Sequence, residues 1–381
     1  MVEPLPLIEL SGPPRERGRQ YGKQAAARIR LGIQHYREQL SRTDFAWPDI
    51  EAQVRAYVPV MEGYAANQVE EMRGIAEGAG LEFEQIAFLN ARTEILKLAA
   101  RPDLRAKLAA SDEPDGCTGV IVLPEATANG RLIHAQNWDW KAECAETAVV
   151  LRIRNDDGPD MLCFAEAGQM ARCGMNAAGI VITANYLESD RDYARLGVPL
   201  PLIRRKVLEQ QQLALAFHTV YTTPKSGSNN MMVSQTEGVA IDFECAPDET
   251  FQVHASGGMI VHANHWQSPV ALAKLKDTGV AGTPDSLYRD MRVRHLLASQ
   301  AGSINREAVK TALFDDFGHP WSVCRPPRRS LTQNLSATVA MIVMEPASGV
   351  MDVCMLPALN RQFQSFRLDM QGAPRAVEKV A

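Results

Sequence analysis

The spacing of apolar positions along the chain changes at about residue 116. Before that point apolar residues recur at intervals of three and four, the spacing of an amphipathic helix. This pattern predicts helices over residues 16–40, 50–80 and 83–98. Residues 110–116, ASDEPDG, are charged and turn-forming, and they predict a linker between these helices and the rest of the chain.

Beyond residue 116 the pattern becomes that of short strands. Residues 117–124 and 132–139 flank Asn129-Gly130, a strong hairpin signal. The short connections between successive strands favour antiparallel pairing, and strands that are apolar on both faces should be covered on both sides. Further strands are predicted over 148–154, 161–167, 180–186, 230–235, 239–245, 250–255, 259–265, 336–345 and 350–357, and helices over 201–217, 287–300 and 306–314.

Together these elements predict an α+β fold. A helical N-terminal segment, residues 1–116, precedes a segment of antiparallel sheets covered by helices, residues 117–381. The expected layering is helix–sheet–sheet–helix, αββα, with both segments folding as one body.

Composition and charge exclude several classes of function. The 381 residues carry 40 basic and 45 acidic side chains, a net charge of −5, which argues against a nucleic-acid or anionic-membrane partner. No apolar run approaches the roughly 20 residues that span a bilayer, and the first residues lack a secretory signal pattern. Seven cysteines without a CxxC pair argue against a disulfide framework or a zinc site, so we expect a cytoplasmic protein without a metal.

The Gly116-Cys117 pair is the candidate for chemistry. The simpler interpretation is that Cys117 is a buried cysteine that packs at the start of a strand. The functional interpretation is that the thiol attacks the Gly116 carbonyl, which no side chain crowds, and the peptide bond is cut. Cys117 would then be a new N-terminus, and its α-amine, with an ordinary pKa of about 8, would accept the thiol proton.

Several motifs carry a resemblance to a known family. DGCTGVIV at 115–122 is followed by QNWD at 136–139, and residues 12–18 (GPPRERG), 174–179 (GMNAAG) and 262–265 (HANH) complete the pattern. In order and spacing they resemble the cysteine-type N-terminal-nucleophile (Ntn) hydrolases, more closely the acyl-coenzyme A:isopenicillin N acyltransferase family. The bile-salt and penicillin V hydrolases are more distant relatives. The resemblance covers nearly the whole chain and implies the Ntn αββα fold.

The resemblance also implies roles for individual residues. Cys117 would be the nucleophile and, after Gly116, the autocleavage thiol; Asp139, which the hairpin returns to the Cys117 end, would orient the α-amine. Asn264 matches the oxyanion-hole asparagine, and Asn185 resembles a second asparagine of the bile-salt hydrolase site. Ser228 would assist cleavage, although a serine in a flexible loop is the simpler interpretation.

One position departs from the family pattern. An arginine precedes the Ser-Ala-Thr of the late strand in the penicillin acyltransferase, whereas this chain has Leu335 there. A cation would help to ionise the thiol. Arg328 or Arg329 are candidates to replace it, but together with Arg325 they are first interpreted as a solvated loop. The departure puts a penicillin-type substrate in doubt.

Four aromatic residues are candidates for binding substrate. They lie at strand ends or in the loops expected near Cys117, where they could flank an apolar acyl chain, although tryptophans at such positions more often pack in the core or at its rim. These residues are Trp138, Trp140, Tyr186 and Trp266.

The leading hypothesis is a self-cleaving acyltransferase or amidohydrolase acting on a small-molecule amide or acyl thioester. The two cleaved segments would stay associated, no cofactor is expected, and a coenzyme A thioester is a candidate acyl donor. Transfer and hydrolysis, the acyl group, the amine and the oligomeric state stay open. One alternative is a metal-dependent hydrolase using His262 and His265 with Asp242 or Glu244, although histidines three apart in a strand point to opposite faces. Another is an uncleaved binding protein of the same fold.

Overall fold

The structure of the chain is a computed structural model that describes residues 4–41, 47–99, 116–329 and 335–370. Residues 110–115 of the predicted linker lie outside the described residues. The predicted change from helices to strands at Cys117 is confirmed within them. The helices that precede it are α1 (Pro14–Leu40), α2 (Trp47–Ala79, kinked at Ala65) and α3 (Phe83–Ala99).

Helices α1 and α2 touch backbone to backbone through glycines. A β-carbon on Gly18 of α1 would lie 2.0 Å from the carbonyl oxygen of Glu71, and one on Gly74 of α2 would lie 2.0 Å from that of Arg15. Gly22 meets Ile75 in the same way at 2.2 Å. The contact explains Gly18 of the N-terminal motif and the nearby Gly22, since any side chain there would separate the helices.

The first sheet joins the N-terminal segment to the body of the protein. Among the described residues it has eight strands, and all neighbours are antiparallel except β1 and β4, which are parallel. Its strands, in spatial order, are β1 (Leu7–Leu10), β4 (Ala148–Ile153), β5 (Met161–Glu166), β6 (Cys173–Asn176), β7 (Ile180–Tyr186), β8 (Asn229–Gln235), β9 (Val239–Cys245) and β10 (Thr250–Val253).

The second sheet contains the predicted hairpin. Cys117 pairs with Trp138 and Val122 with Ile133, so the hairpin prediction is confirmed. The strands of this sheet, in order, are β11 (Met259–His262), β2 (Cys117–Val122), β3 (Ile133–Lys141), β13 (Leu335–Glu345), β14 (Val350–Met355) and β15 (Gln364–Arg367), with the short β12 (Arg328–Arg329) also on β13.

Helices cover the outer faces of both sheets, which confirms the αββα arrangement. On the second sheet, α7 and α8 pack against β2, β3, β11 and β13, and on the first sheet α4 and α5 pack against β6 to β9. The helix predicted over 201–217 is wrong as a single element, because it breaks after Leu208. The helices are α4 (Leu200–Leu208), α5 (Leu213–Thr222), α6 (Pro269–Leu272), α7 (Ser286–Ala298) and α8 (Arg306–Leu313).

Buried side chains of α1–α3 and of both sheets form one continuous apolar core, and a second cluster lies between the second sheet and helices α7 and α8. Strand β2 contacts β7 across the gap between the sheets. Cys117 therefore begins a strand that is sandwiched between two layers, which fixes its backbone and excludes water. In the described part of the chain, no helix combines the length and the apolar character required to cross a membrane.

Candidate active site

Cys117 is fully buried at the first position of β2. The residue before it lies against the guanidinium group of Arg325, because a β-carbon on Gly116 would be 2.2 Å from Arg325 Nη1. Only glycine fits that approach without movement of Arg325. The structure thus supplies a steric reason for the Gly116-Cys117 pair that the sequence singled out.

The backbone nitrogen of Cys117 donates a hydrogen bond to Asn264 Oδ1 at 2.6 Å. Arg289 Nη2 donates to the same oxygen at 2.9 Å, and Asn264 Nδ2 donates to the Tyr186 carbonyl at 2.8 Å. These partners fix the orientation of the amide, since the oxygen faces two donors and the nitrogen faces an acceptor. Asn264 therefore orients the atom that cleavage would convert into an α-amine.

Arg289 of α7 holds the backbone of the same strand. Its Nη1 donates to the Cys117 carbonyl at 2.6 Å and to Thr118 Oγ1 at 2.9 Å, while its Nε donates to Asp285 at 2.8 Å. The side chain is fully buried. Sequence reasoning missed Arg289, because an arginine in an amphipathic helix gives no sign that it points inward.

Asp139 lies beside Cys117, as the hairpin predicted, and it is held by two partners. Its Oδ1 accepts a hydrogen bond from Thr338 at 2.6 Å, and Arg325 Nε lies 3.3 Å from its Oδ2. Arg325 also pairs with Asp285. Burial opposes the charge of Arg325, but the two carboxylates outweigh burial and raise the pKa of its guanidinium above the usual value.

The interpretation of Arg325 as part of a solvated loop is therefore wrong. It is 1% exposed, and its backbone pairs with Thr338, next to the start of β13. In the sequence, neither the two prolines that follow Arg325 nor the nearby arginines indicate that its side chain is buried. Arg328 instead lies over the Trp321 ring at 5.3 Å.

A cation also lies beside the thiol itself. Arg172 Nη2 is 3.8 Å from Cys117 Sγ, and the Arg172 guanidinium lies over the Trp138 ring at 4.1 Å. Trp138 is buried opposite Cys117 in the β2–β3 ladder, so it supports Arg172. From the sequence, this positive charge was expected near Leu335. In the structure Arg172, in the turn between β5 and β6, supplies it.

Asn185 does not reach the thiol. Its Nδ2 donates to the carbonyls of His262 and Ala263 at 3.0 and 3.1 Å, and its Oδ1 accepts from Gln136 at 2.7 Å. Both amide hydrogens are thus used to tie β7 to the end of β11. The prediction of a catalytic role for Asn185 is corrected to a positioning role for the segment that carries Asn264.

Ser228 lies in a different network. Its hydroxyl donates to Asp192 and lies 2.9 Å from the hydroxyl of Ser189, and its backbone nitrogen donates to Asp192 at 3.0 Å. Burial raises the pKa of Asp192 to about 6, against the effect of these hydrogen bonds. These contacts fix the loop before β8 and do not support the predicted role of Ser228 in cleavage.

The other aromatic candidates divide into one that lines a cavity and two that pack. Tyr186 borders a cavity of about 20 Å³ together with Arg172. Trp140 donates from Nε1 to the Tyr36 hydroxyl at 3.1 Å, and Trp266 donates to the Glu188 carbonyl at 2.9 Å within a separate apolar cluster. The predicted substrate contact of Trp266 is corrected to core packing.

His262 and His265 do not form a metal site. His262 Nδ1 lies 3.0 Å from the Ala263 carbonyl and Nε2 lies 2.7 Å from Glu244, so both nitrogens are occupied by acceptors. Strand β11 ends at His262, so the two rings stack at 6.1 Å instead of facing apart as expected. Among the described residues no group of three or more potential ligands could hold a metal ion.

The remaining cysteines are buried and lack this combination of neighbours. Burial raises the pKa of the thiols of Cys163, Cys173, Cys324 and Cys354 to about 12. A thiol kept protonated in this way is a poor nucleophile. Among the thiols, Cys117 is the one whose surroundings include a preceding glycine, a bound backbone nitrogen and an arginine at its sulfur.

A family model described as acyl-coenzyme A:6-aminopenicillanic acid acyl-transferase matches residues 126–357, more than half of the chain. The chain belongs to this family. The matched span includes Asp139 and Asn264 and begins after Cys117. Membership confirms the family resemblance seen in the motifs, and it confirms the expectation of an enzyme that transfers or hydrolyses acyl groups.

Individual members and solved structures resemble the chain over most of its length. The acyl-coenzyme A:6-aminopenicillanic-acid-acyltransferase 40 kDa form of Emericella nidulans is 28% identical over 323 residues, 84% of each chain. A variant of the conjugated bile acid hydrolase from Clostridium perfringens is 13% identical, with a TM-score of 0.48 over 68% of this chain and 95% of that chain. The N-acylethanolamine-hydrolyzing acid amidase ortholog of Caenorhabditis elegans is 15% identical, with a TM-score of 0.44 over 66% of this chain and 100% of that chain.

Proposed function

We propose that this chain is a self-cleaving Ntn acyltransferase or amidohydrolase whose nucleophile is Cys117. The observation that carries the proposal is the hydrogen bond from the Cys117 backbone nitrogen to Asn264 Oδ1, made while an arginine lies at the sulfur. Asn264 thus binds the backbone nitrogen of the first residue of β2. If cleavage converts that nitrogen into the catalytic amine, the same hydrogen bond would hold the amine in place.

Cleavage would proceed in two steps. Cys117 Sγ attacks the Gly116 carbonyl, and the carbon–nitrogen bond breaks as the nitrogen takes up a proton, which leaves a thioester to Gly116 and a free α-amine. Water then hydrolyses the thioester and releases the Gly116 carboxylate. The close approach of Arg325 to Gly116 supports this reaction, since a cation next to the residue under attack would stabilise the negative charge that develops there.

Turnover would use the same atoms. The α-amine of Cys117 accepts the thiol proton, and Asn264 Oδ1 holds that amine toward the sulfur. Attack on the substrate carbonyl forms an oxyanion, for which the second hydrogen of Asn264 Nδ2 is the candidate donor. The amine product leaves with the proton, and the acyl thioester on Cys117 is resolved by water in hydrolysis or by another amine in transfer. In transfer, a coenzyme A thioester is a candidate acyl donor.

Buried contacts would keep the two cleaved segments together. Glu71 of α2 pairs with Arg17 of α1 at 3.1 Å and with Arg205 of α4 at 3.0 Å. All three side chains are nearly inaccessible. Of these pairs, Glu71–Arg205 joins the two segments, and separating them would break this buried ion pair, which is unfavourable.

Intact mass measurement of the purified protein tests the proposal. We expect two fragments, residues 1–116 and 117–381, that stay together on a sizing column, and a single uncut chain for Cys117→Ala. Cys163→Ala, which removes a buried thiol outside the site, is the control and should be cleaved normally. A wild-type chain that stays whole and hydrolyses no amide would favour the uncleaved binding protein, whereas an uncut chain with full turnover would disprove the α-amine mechanism.

A further inference from the structure

The cavity beside Cys117 contains three arginines. Its volume is about 20 Å³, and Arg92, Arg172, Arg204, Gln169 and Tyr186 contribute to its lining. We refer to it by these residues as the arginine cavity. Arg92 belongs to α3, before the cleavage site, and the others come after it, so the cavity exists only while both segments are associated.

Arg92 already has a carboxylate partner. It pairs with Glu166, and both side chains are buried. Glu166 also accepts hydrogen bonds from the Tyr36 hydroxyl at 2.6 Å and from Gln169 at 3.3 Å. Because these partners occupy the Glu166 carboxylate, it has little capacity left to compensate Arg204.

Arg204 has no such partner among the described residues. It is 6% exposed, it forms no ion pair within that part of the chain, and its Nε lacks a hydrogen-bond acceptor there. Burial, together with the charge of Arg172, lowers the pKa of Arg204 to about 10. A buried guanidinium without a paired anion is unfavourable, and such groups are retained most often where a ligand supplies the missing charge.

The nearby acid, Glu94, does not complete the pairing. Its Oε1 accepts the Leu200 backbone hydrogen bond at 2.9 Å, and its Oε2 has no partner among the described side chains. Burial raises the pKa of Glu94, while Arg204 and Arg92 oppose that shift. Arg204 therefore has no hydrogen-bonded carboxylate partner among the described residues.

The position of Arg172 places the arginine cavity within reach of the reaction. Its Nη2 is 3.8 Å from Cys117 Sγ. A carbonyl carbon under attack lies about 3–3.5 Å from the nucleophile. An anion held by Arg172 and Arg204 would thus be only a few covalent bonds away from that carbonyl.

We propose that the arginine cavity binds a carboxylate of the substrate, about three bonds from the carbonyl that Cys117 attacks. The inference rests on the proposed function, since it assumes that Cys117 is the nucleophile. Two substrate classes have this chemistry. In a monoamide of a short dicarboxylic acid the carboxylate belongs to the acyl group, and in an N-acyl amino acid it belongs to the amine.

Matched substrate pairs test the proposal and separate the two classes. Succinyl-4-nitroanilide against butyryl-4-nitroanilide tests a carboxylate on the acyl side, and N-butyrylglycine against N-butyrylglycinamide tests one on the amine side. We expect kcat/KM to be at least about tenfold higher for the anionic member of one pair, mainly through KM. Equal kcat/KM within both pairs, in an enzyme that cleaves itself and hydrolyses them, would overturn the carboxylate site and leave the proposed function intact.

Variants identify the arginine responsible. Arg204→Met should abolish the ratio of kcat/KM between the anionic and the neutral substrate, while Arg204→Lys should keep part of that ratio. Arg195→Met is the matched control, because Arg195 is exposed and does not line the cavity. A preference that survives in Arg204→Met would overturn the assignment.

A labelling experiment on wild-type protein needs neither turnover nor a folded variant. Iodoacetate and iodoacetamide both alkylate the thiol with loss of iodide, but only iodoacetate is anionic. We expect the ratio of their rates at Cys117 to exceed that of N-acetylcysteine at least about tenfold, and succinate to slow iodoacetamide. A ratio equal to that of N-acetylcysteine would overturn the site, and intact mass of the same sample reports separately on self-cleavage.

Discussion

Two buried arginine clusters contact Cys117, and they differ in how their charges are compensated. Arg289 and Arg325 contact the backbone of residues 116–118 and share Asp285, while Arg325 also pairs with Asp139. The second cluster contacts the sulfur. There Arg172 lies at the thiol and Arg204 has no ion-pair partner among the described residues.

The difference in charge compensation indicates that the two clusters have different roles. Burial opposes the ionisation of Asp285, but Arg325 and Arg289 outweigh burial and lower the pKa of its carboxyl, so this cluster is internally neutralised. Compensated charges of this kind hold protein groups in a fixed geometry. In the second cluster Arg204 has no ion-pair partner among the described residues, so its guanidinium can pair with an anionic ligand. Substitutions in and around the two clusters test this difference.

Arg325→Met should have the largest effect, because it removes the partner that Asp139 and Asp285 share. Leaving buried carboxylates without their cation typically costs about 3–5 kcal/mol. We expect a loss of that size in the free energy of unfolding, measured with urea, and loss of self-cleavage by intact mass. Arg328→Met, which removes a cation over the Trp321 ring, should cost less than about 1 kcal/mol. Unchanged stability of Arg325→Met would contradict the pairing described here.

Asn264→Leu should slow both self-cleavage and amide hydrolysis at least about 100-fold, the scale of losing one preorganised polar group at an active site. The change leaves the Cys117 nitrogen and Arg289 without their shared acceptor. Time-resolved intact mass on freshly refolded protein measures cleavage. Asn264→Asp keeps an oxygen for that nitrogen and should cleave faster than Asn264→Leu. Wild-type rates in Asn264→Leu would exclude Asn264 from the mechanism.

His262→Gln should change the pH dependence of stability. Burial opposes the charge of His262, but Asp242 and Glu244 raise its pKa to about 9. Because this folded-state pKa lies above the ordinary value, the stabilisation is complete below about pH 6.5 and is lost as the pH rises through 9. Glu244 also binds the backbone nitrogens of Gln267 and Ser268, in the loop that carries Asn264.

We therefore expect wild-type protein to lose about 3 kcal/mol more than His262→Gln between pH 6.5 and 9.5, measured by urea unfolding. The exposed His254→Gln should behave as wild type. If the free energy of unfolding has the same pH dependence in wild type and in His262→Gln, the ion pair of His262 with Asp242 and Glu244 does not stabilise the protein.

Arg172→Met should have the smallest effect, about a tenfold slower alkylation of Cys117 by iodoacetamide at neutral pH, because the thiolate loses its cationic neighbour. Arg172→Lys should recover part of the rate, since it returns the charge without the planar group that stacks on Trp138. The rate is followed by mass spectrometry of the labelled peptide. An unchanged rate in Arg172→Met would assign Arg172 to packing alone.

Much of the fold and part of the site could be predicted from local pattern. Hairpin signals and period-two spacing predicted the pairing of Cys117 with the strand that ends in Asp139, and the register confirms it. The motif around Asn264 predicted a polar residue close to Cys117. The helix predicted over 201–217 failed at its middle, because apolar spacing continues across the break between α4 and α5.

The charged groups around Cys117 were the part that local pattern could not predict. Arg172, Arg289 and Arg325 come from a turn, a helix and a proline-rich loop, and each looks like an ordinary surface residue in its own segment. The function of Arg325 follows from long-range pairing with Asp285 and Asp139, and that of Arg172 and Arg289 follows from contact with Cys117. Asn185 failed for the same reason, since its amide is used by His262 and Ala263 carbonyls that only the folded sheets bring near.

The order of the layers and the hairpin that carries Cys117 follow from the amino-acid sequence, because they depend on local spacing. The family follows from it too, because its motifs keep their order along the chain. Only the tertiary structure decided which arginines are buried, which carboxylates neutralise them and which guanidinium remains without a partner among the described residues. Burial and charge compensation are properties of groups that meet across the fold, and no local pattern records them.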